Sequence, residues 1–414
     1  MARARTGPIG ALLAAGLVIA GAAAAEPELP LAILQENQGL SAVTTDVAVS
    51  PDGRHVYASG ADFLVVLRRL PDGKLAFVEE HLLGREGIRV VVPPDGRGVL
   101  ALASEAGEAG VVSFRRNEAD GTLTWVEVEV AELGGSVSDL ATSRDGQRVY
   151  VTSPGYDALV VYARDAETGA LAFAQRIENT DPGVSGLGIP RLLAVSPDDR
   201  HVYVSGRRQA QDEPPVFLDT IVLLRREPDG SLSFVESLDV DAFLSDLAAD
   251  MDLTPDGAEL LVLDGGAFPG AGAALRRYTR DPGDGRLSFL ASRPIEEPGF
   301  FAGTLAWFAQ RPDGRRVFFA GISSGPPGLP VMAWSRDEAG GMAPIARVET
   351  GRIIASGVSS PDGRYLYTST ALGVRVLVPE PGAAPGALAA LAALGLRRRA
   401  SRRRPPRARA SARA

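Results

Sequence analysis

The 414-residue chain has no cysteine, only three histidines and little aromatic content. Without cysteine there are neither disulfides nor thiolate metal sites, so stability in an oxidising compartment must come from packing alone. The scarcity of histidine leaves few acid–base groups. His55 and His201 fill the same slot in two copies of a repeated unit, beside a tight turn, and read as strand residues, while His81 stands isolated. No helical period of useful length appears. The apolar runs near the two ends, Ile9–Ala20 and Ala383–Leu396, fall short of the roughly 20 residues that a membrane span requires. Net positive charge is confined to the ends. Taking the two arginines of the N-terminal segment and the nine that follow Gly382 away from the formal −8 leaves −19 for the middle of the chain. A body so acidic excludes nucleic acid as a partner, since binding to phosphate backbones rests on Lys and Arg.

What the chain has in abundance is one repeated stretch, VAVSPDGRHVYASG in its first copy (Val47 to Gly60). VAVS is a short buried-strand pattern, Ser50-Pro51-Asp52-Gly53 carries Pro and Gly where a type I turn prefers them, and HVYAS alternates as a return strand. With Pro and Gly kept in the turn, the ladder on either side stays intact. Copies are anchored at Pro51, Pro94, Arg144, Pro197, Pro255, Pro312 and Pro361, separated by 43, 50, 53, 58, 57 and 49 residues. Each anchor is followed by Asp and Gly, except for Pro197-Asp198-Asp199. A period of about 40 to 50 residues marks propeller blades, and the longer intervals need only loop insertions.

Six copies are followed by a second hairpin, such as VVLRRLPDGKLAFVEE, LVVYARDAETGALAFAQ or IVLLRREPDGSLSFVES, which completes a four-stranded blade. The seventh copy stops at Val374–Val378, one strand short, while Leu31–Gln35 near the other end has the pattern of an outer strand without a hairpin of its own. Pairing the two closes the ring and removes the free edges. The expected architecture is therefore an all-β, seven-bladed propeller over residues 26–378, closed by the N-terminal strand.

This strand order sorts the loops. The tight turns share one face. The other face carries long, irregular segments at 178–190, 206–219, 236–246, 265–273 and 321–330, and irregular loops on a rigid scaffold are where ligand sites tend to sit. Counting five residues back from each anchor places Asp46, Arg89, Asp139, Leu192, Asp250, Trp307 and Ser356 around the channel near that face. Two uses of the charged members stay open: a ligand site formed by Asp46, Arg89, Asp139 and Asp250 with Trp307 as an apolar wall, or ion pairs and hydrogen bonds between blades. No cofactor is evident. Asp46, Asp139 and Asp250 are oxygen donors of the type that suits a divalent cation such as calcium. Asp239, Asp241, Asp246, Asp250 and Asp252 form a further acidic run in a blade crossing, lacking the Gly of an EF-hand loop. Gly321 to Gly325 matches G-x-S-x-G, but a nucleophile elbow needs a strand-to-helix turn, which speaks against Ser323.

The ends carry processing signals. Arg3 and Arg5, the apolar run and Ala23-Ala24-Ala25 form a secretory signal peptide, residues 1–25, a substrate for signal peptidase. The repeats resemble the lactonase-type seven-bladed propellers, the 6-phosphogluconolactonase-like and YVTN-repeat proteins, over roughly Leu31 to Val378. That resemblance implies the fold and points to sugar-lactone hydrolysis, with no catalytic residue transferable by motif. The tail, residues 379–414, is similar to the PEP-CTERM sorting signal: Pro379-Glu380-Pro381, a short apolar segment, then Arg397-Arg398-Arg399. It implies a Gram-negative host, transient membrane insertion with the arginines inside, recognition by an exosortase, and delivery to the periplasm, outer surface or extracellular matrix. Two functions remain in view: a surface- or matrix-associated binding or scaffold propeller for a small molecule or carbohydrate, and a hydrolase of a sugar lactone.

Overall fold

The computed structural model describes residues 31–35, 43–105, 108–130, 132–211, 216–240, 248–264, 273–295, 305–321, 330–337, 340–350, 354–371 and 373–379. The signal peptide, Glu380, Pro381, the tail arginines, Ser323, Asp241 and Asp246 lie outside them. The described strands form seven antiparallel sheets of four, each built from consecutive strands except the last, where Leu31–Gln35 joins Gly373–Pro379. In blade 1 the strands are Thr44–Val49, His55–Gly60, Phe63–Arg69 and Leu75–Leu82, from the axis outward. The innermost strands of blades 2 to 7 are Glu86–Val91, Leu140–Thr142, Leu193–Val195, Ala248–Leu253, Leu305–Gln310 and Ile354–Ser359. The seven-bladed ring and its closure are as the repeats predict.

The turn chemistry accounts for the hairpins. The Gly53 N–H donates to the Ser50 carbonyl at 2.7 Å, and Ser50 Oγ donates to Asp52 Oδ1 at 2.6 Å while accepting from the His55 N–H at 3.0 Å. Gly53 sits at φ +66°, a left-handed conformation that costs glycine little. In the fourth copy Asp199 adopts φ +61° instead, which Asp tolerates better than most residues. The reason lies next door. Asp199 Oδ1 accepts the Arg144 N–H at 2.8 Å, so the two departures from the repeat, Arg for Pro and Asp for Gly, meet each other. Proline has no N–H to give, and glycine has no carboxylate to receive it.

The core is distributed as seven apolar clusters, one at each blade-to-blade interface; that between blades 7 and 1 joins Tyr367, Val374 and Val376 to Val47, Val56 and Val65. Each fully buried Val or Leu contributes about 1.5–3 kcal/mol, so the seam is held as the other interfaces are. Polar bonds between blades repeat as well. On the tight-turn face an arginine ending the third strand reaches the turn aspartate of the preceding blade: Arg69 to Asp362 (2.9 Å), Arg116 to Asp52 (3.0 Å), Arg164 to Asp95 (2.6 Å), Arg226 to Asp145 (2.6 Å) and Arg280 to Asp198 (2.7 Å). On the outer rim Glu79 accepts the Leu123 N–H at 2.6 Å, Glu127 the Leu171 N–H at 2.5 Å and Gln175 the Leu232 N–H at 2.8 Å. Gln35 does the same for Leu75 at 2.7 Å and donates back at 3.1 Å, which makes the closing strand chemically equivalent to any other outer strand.

Candidate functional site

Side chains from blades 1, 2, 3 and 5 interact with one another, which in a seven-membered ring is achieved on the axis. Arg89 Nε lies 3.1 Å from Asp139 Oδ1, and its Nη1 lies 3.8 Å from Asp46 Oδ1. Asp250 adds to the same field, favouring the charged guanidinium. The four positions counted from the turn anchors are thus brought together. A β-bulge delivers most of it. The innermost strands of blades 1, 2 and 5 each carry an extra residue immediately before the ring position, between Thr44 and Asp46, Gly87 and Arg89, and Ala248 and Asp250. A bulge bends the strand and re-aims the side chain that follows.

Each ring carboxylate also serves as an acceptor for the neighbouring blade. Asp46 Oδ2 takes the Val90 N–H, Asp139 Oδ2 the Leu193 N–H and Asp250 Oδ2 the Phe308 N–H, all at 2.9 Å. Thus the acids of blades 1, 3 and 5 clip blades 2, 4 and 6, and Ser356 of blade 7 donates to Asp46 Oδ1. The remaining Asp250 oxygen accepts the Met251 N–H at 2.9 Å. Of the two uses foreseen for these residues, the blade-to-blade bonds are made, and the guanidinium at their centre keeps 27% of its side chain exposed.

Two expectations need correction. Asp46, Asp139 and Asp250 do not converge on a cation: Arg89 stands between Asp46 and Asp139, and among the described residues no three Asp, Glu or His side chains are grouped so as to hold a metal. Among the described residues calcium finds no ligand set. Trp307 is no wall of an open site either; 3% exposed, its indole fills the slot above Gly357, where a Cβ would lie 2.3 Å from the ring, so it packs blade 6 against blade 7. Leu192 is likewise buried. The described members of the acidic run are split between two strands: Asp239 ends an outer strand and pairs with Arg208, whereas Asp250 and Asp252 belong to an innermost strand.

The electrostatics single out Asp250. Burial pushes its carboxyl up to about 7, with Asp139 and Asp252 adding to the rise and Arg89 and the Phe308 N–H opposing it. Burial raises Asp139 as well, against the pull of Arg89. Asp252, two residues along, is likewise pushed up, to about 6, by burial, against the pull of Arg144, the Leu253 N–H and Gln310. The result is a carboxyl poised near neutrality close to a fixed guanidinium. His55 and His201 play no part in it. Their Nδ1 atoms face Arg116 and Arg280 at 2.9 and 2.8 Å, beside the clasps of the opposite face, and burial and those arginines keep them below the usual imidazole range. His81 bonds Glu79 at 3.0 Å on the outer strand.

Comparison with known proteins agrees with this architecture. The family model described as lactonase, 7-bladed β-propeller, matches residues 30–137 and 127–211. Among solved structures, the hydrazine synthase of Kuenenia stuttgartiensis superposes with a TM-score of 0.62 at 18% identity, covering 83% of this chain and 97% of that one. The periplasmic gluconolactonase of Pseudomonas aeruginosa gives 0.55 at 22% identity (79% and 88% covered), and a putative 6-phosphogluconolactonase from Bacteroides fragilis 0.57 at 16% (73% and 86%). At such identities the superpositions speak for the fold alone. With seven four-stranded blades around a channel the chain is a seven-bladed β-propeller, and its residues 30–211 match the lactonase seven-bladed β-propeller family model.

Proposed function

We propose that the protein hydrolyses a sugar-type lactone at the variable-face end of the channel. The observation that carries this reading is the Asp250 carboxyl, pushed up to about 7 by burial in the field of the Arg89 guanidinium, a side chain that keeps 27% of its surface exposed. A general base works best when its pKa lies near the working pH. Asp250 takes a proton from water as the water oxygen bonds to the lactone carbonyl carbon. Arg89 donates hydrogen bonds to the carbonyl oxygen as it gains charge, held in orientation by Asp139 and Asp46. The ring C–O bond then breaks, and the ring oxygen leaves as a hydroxyl after recovering the proton from Asp250. Lactone plus water gives the hydroxy acid, with nothing left over. The lactonase family model supports the same chemistry, as does the activity named for the Pseudomonas neighbour.

Assay of the mature protein on a panel of aldono- and phosphoaldonolactones decides the matter. Turnover that disappears in Asp250→Asn and in Arg89→Met is the expected result. No turnover across the panel would return the protein to the binding or scaffold class, for which no separate observation speaks. We place the protein outside the cytoplasm, on the strength of its N-terminal signal and its periplasmic neighbour. Delivery to the outer surface or matrix rests on the tail and an exosortase. Intact-mass measurement of the exported form tests this, a chain ending near Pro379 to Gly382 being expected and one retaining Arg397–Arg399 ruling it out.

A further inference from the structure

A second concavity opens on the same face, between blades 1 and 2. It encloses about 720 Å³, within the range of small-molecule pockets, and is lined chiefly by Asp62, Arg85, Glu86, Ile88 and Ser104. Arg85 is fixed in place: its Nη1 donates to the Glu108 carbonyl at 3.0 Å and its Nη2 lies 3.5 Å from the Glu108 carboxylate. The Asp62 and Glu86 carboxylates and the Ser104 hydroxyl have no hydrogen-bond partner among the described residues. Glu86 and Ser104 stand directly opposite each other across the strand pair, so their side chains share one face. Ile88 is the bulge residue of that strand, displaced from the ladder just before Arg89.

We infer that this cleft binds a neutral carbohydrate unit and that, on the hydrolase reading above, the substrate is the lactone of a disaccharide or longer glycan rather than of a single sugar. Two uncommitted carboxylates suit the donated hydrogens of neighbouring hydroxyls, the hydroxyl and the pinned guanidinium suit their oxygens, and Ile88 offers an apolar contact for the C–H face of a ring. One guanidinium already shared with Glu108 against two free carboxylates disfavours phosphate or carboxylate ligands. The strand itself joins the two sites. Glu86 and Ile88 line the cleft while Arg89 reaches the channel, and three residues of strand span on the order of 10 Å, the reach of two linked sugar rings.

The test separates the two ideas. Cellobiose, maltose and lactose are titrated into the mature protein and its Asp62→Ala, Glu86→Ala variant, with saturation-transfer NMR and calorimetry as readouts and the melting temperature as a check on folding. Saturable binding of at least one disaccharide, weakened about tenfold or more in the variant, is expected. The ratio of kcat/KM on the corresponding bionolactone to that on gluconolactone should fall in parallel. Absence of saturable binding by all three sugars, or equal binding by parent and variant, overturns the proposal. Should cleft-dependent binding persist while no lactone is turned over, the cleft stands and only the hydrolase reading falls.

Discussion

The two faces of the ring both set arginine against aspartate, yet with different results. On the tight-turn face five arginines repeat one contact with the preceding blade, and Arg116, Arg164 and Arg280 have at most 3% of their side chains exposed. On the channel near the variable face Arg89 lies among carboxylates of three other blades and keeps 27% of its side chain exposed. Repetition with burial builds an interface, and each clasp is made to the preceding blade. A unique residue on the axis has no equivalent elsewhere in the ring, and its field acts on whatever enters the channel.

This contrast is sharpest under mutation. Asp250→Asn should lower turnover by about 100-fold or more, and its pH dependence carries a definite sign. As the carboxyl is the base, kcat/KM in the parent should rise with pH through about 7. Stability should move the other way. The folded pKa lies above the unfolded value near 3.9, so the folded state holds the extra proton in between, and stability declines as pH rises from about 4 to 7. Asp250→Asn should flatten that decline in denaturant titrations across the window; an unchanged slope would place the ionisation elsewhere.

Arg116→Ala should do the reverse. Removing a buried cation that bonds Tyr57, Asp52 and the Gly96 carbonyl should cost about 3 kcal/mol in chemical denaturation, while turnover per folded molecule stays as in the parent. Loss of activity without loss of stability would erase the distinction between the faces. The smallest effect concerns the paired departures from the repeat. Arg144→Pro and Asp199→Gly should each destabilise, and their double-mutant cycle should return a coupling of about 1 kcal/mol. Additivity would mean that the 2.8 Å bond between them contributes nothing.

Much of this was legible in the sequence, for reasons that can be named. The turns announce themselves because Pro and Gly have few places to go in a sheet, and the missing strand of the seventh copy leaves Leu31–Gln35 as its partner. The clasps were legible in principle: Arg ends the third strand in copy after copy, as in VVLRR, VVSFRR and LRRYTR, and Asp follows each anchor. Pairing them requires knowing which blade each one faces. The bulges left no trace, since one extra residue in a short strand is indistinguishable from a shifted register. Counting from the anchors placed Asp46, Arg89, Asp139 and Asp250 correctly, but not the N–H groups of the next blade that hold them. Trp307 was misleading because its slot is made by an absence, the missing side chain of Gly357.

The seam between Leu31–Gln35 and Gly373–Pro379 sets the order in which the ring can assemble. Six sheets draw all four strands from neighbouring sequence and can stack as the chain emerges. The seventh must wait for both extremities, and joining points about 345 residues apart carries an entropy cost of roughly 5 kcal/mol. An interrupted chain therefore leaves a stack with two exposed edges, sticky toward other chains, instead of a smaller ring. The last step of folding waits for both extremities to meet, and until then blade 7 is a three-stranded fragment whose missing quarter was made first.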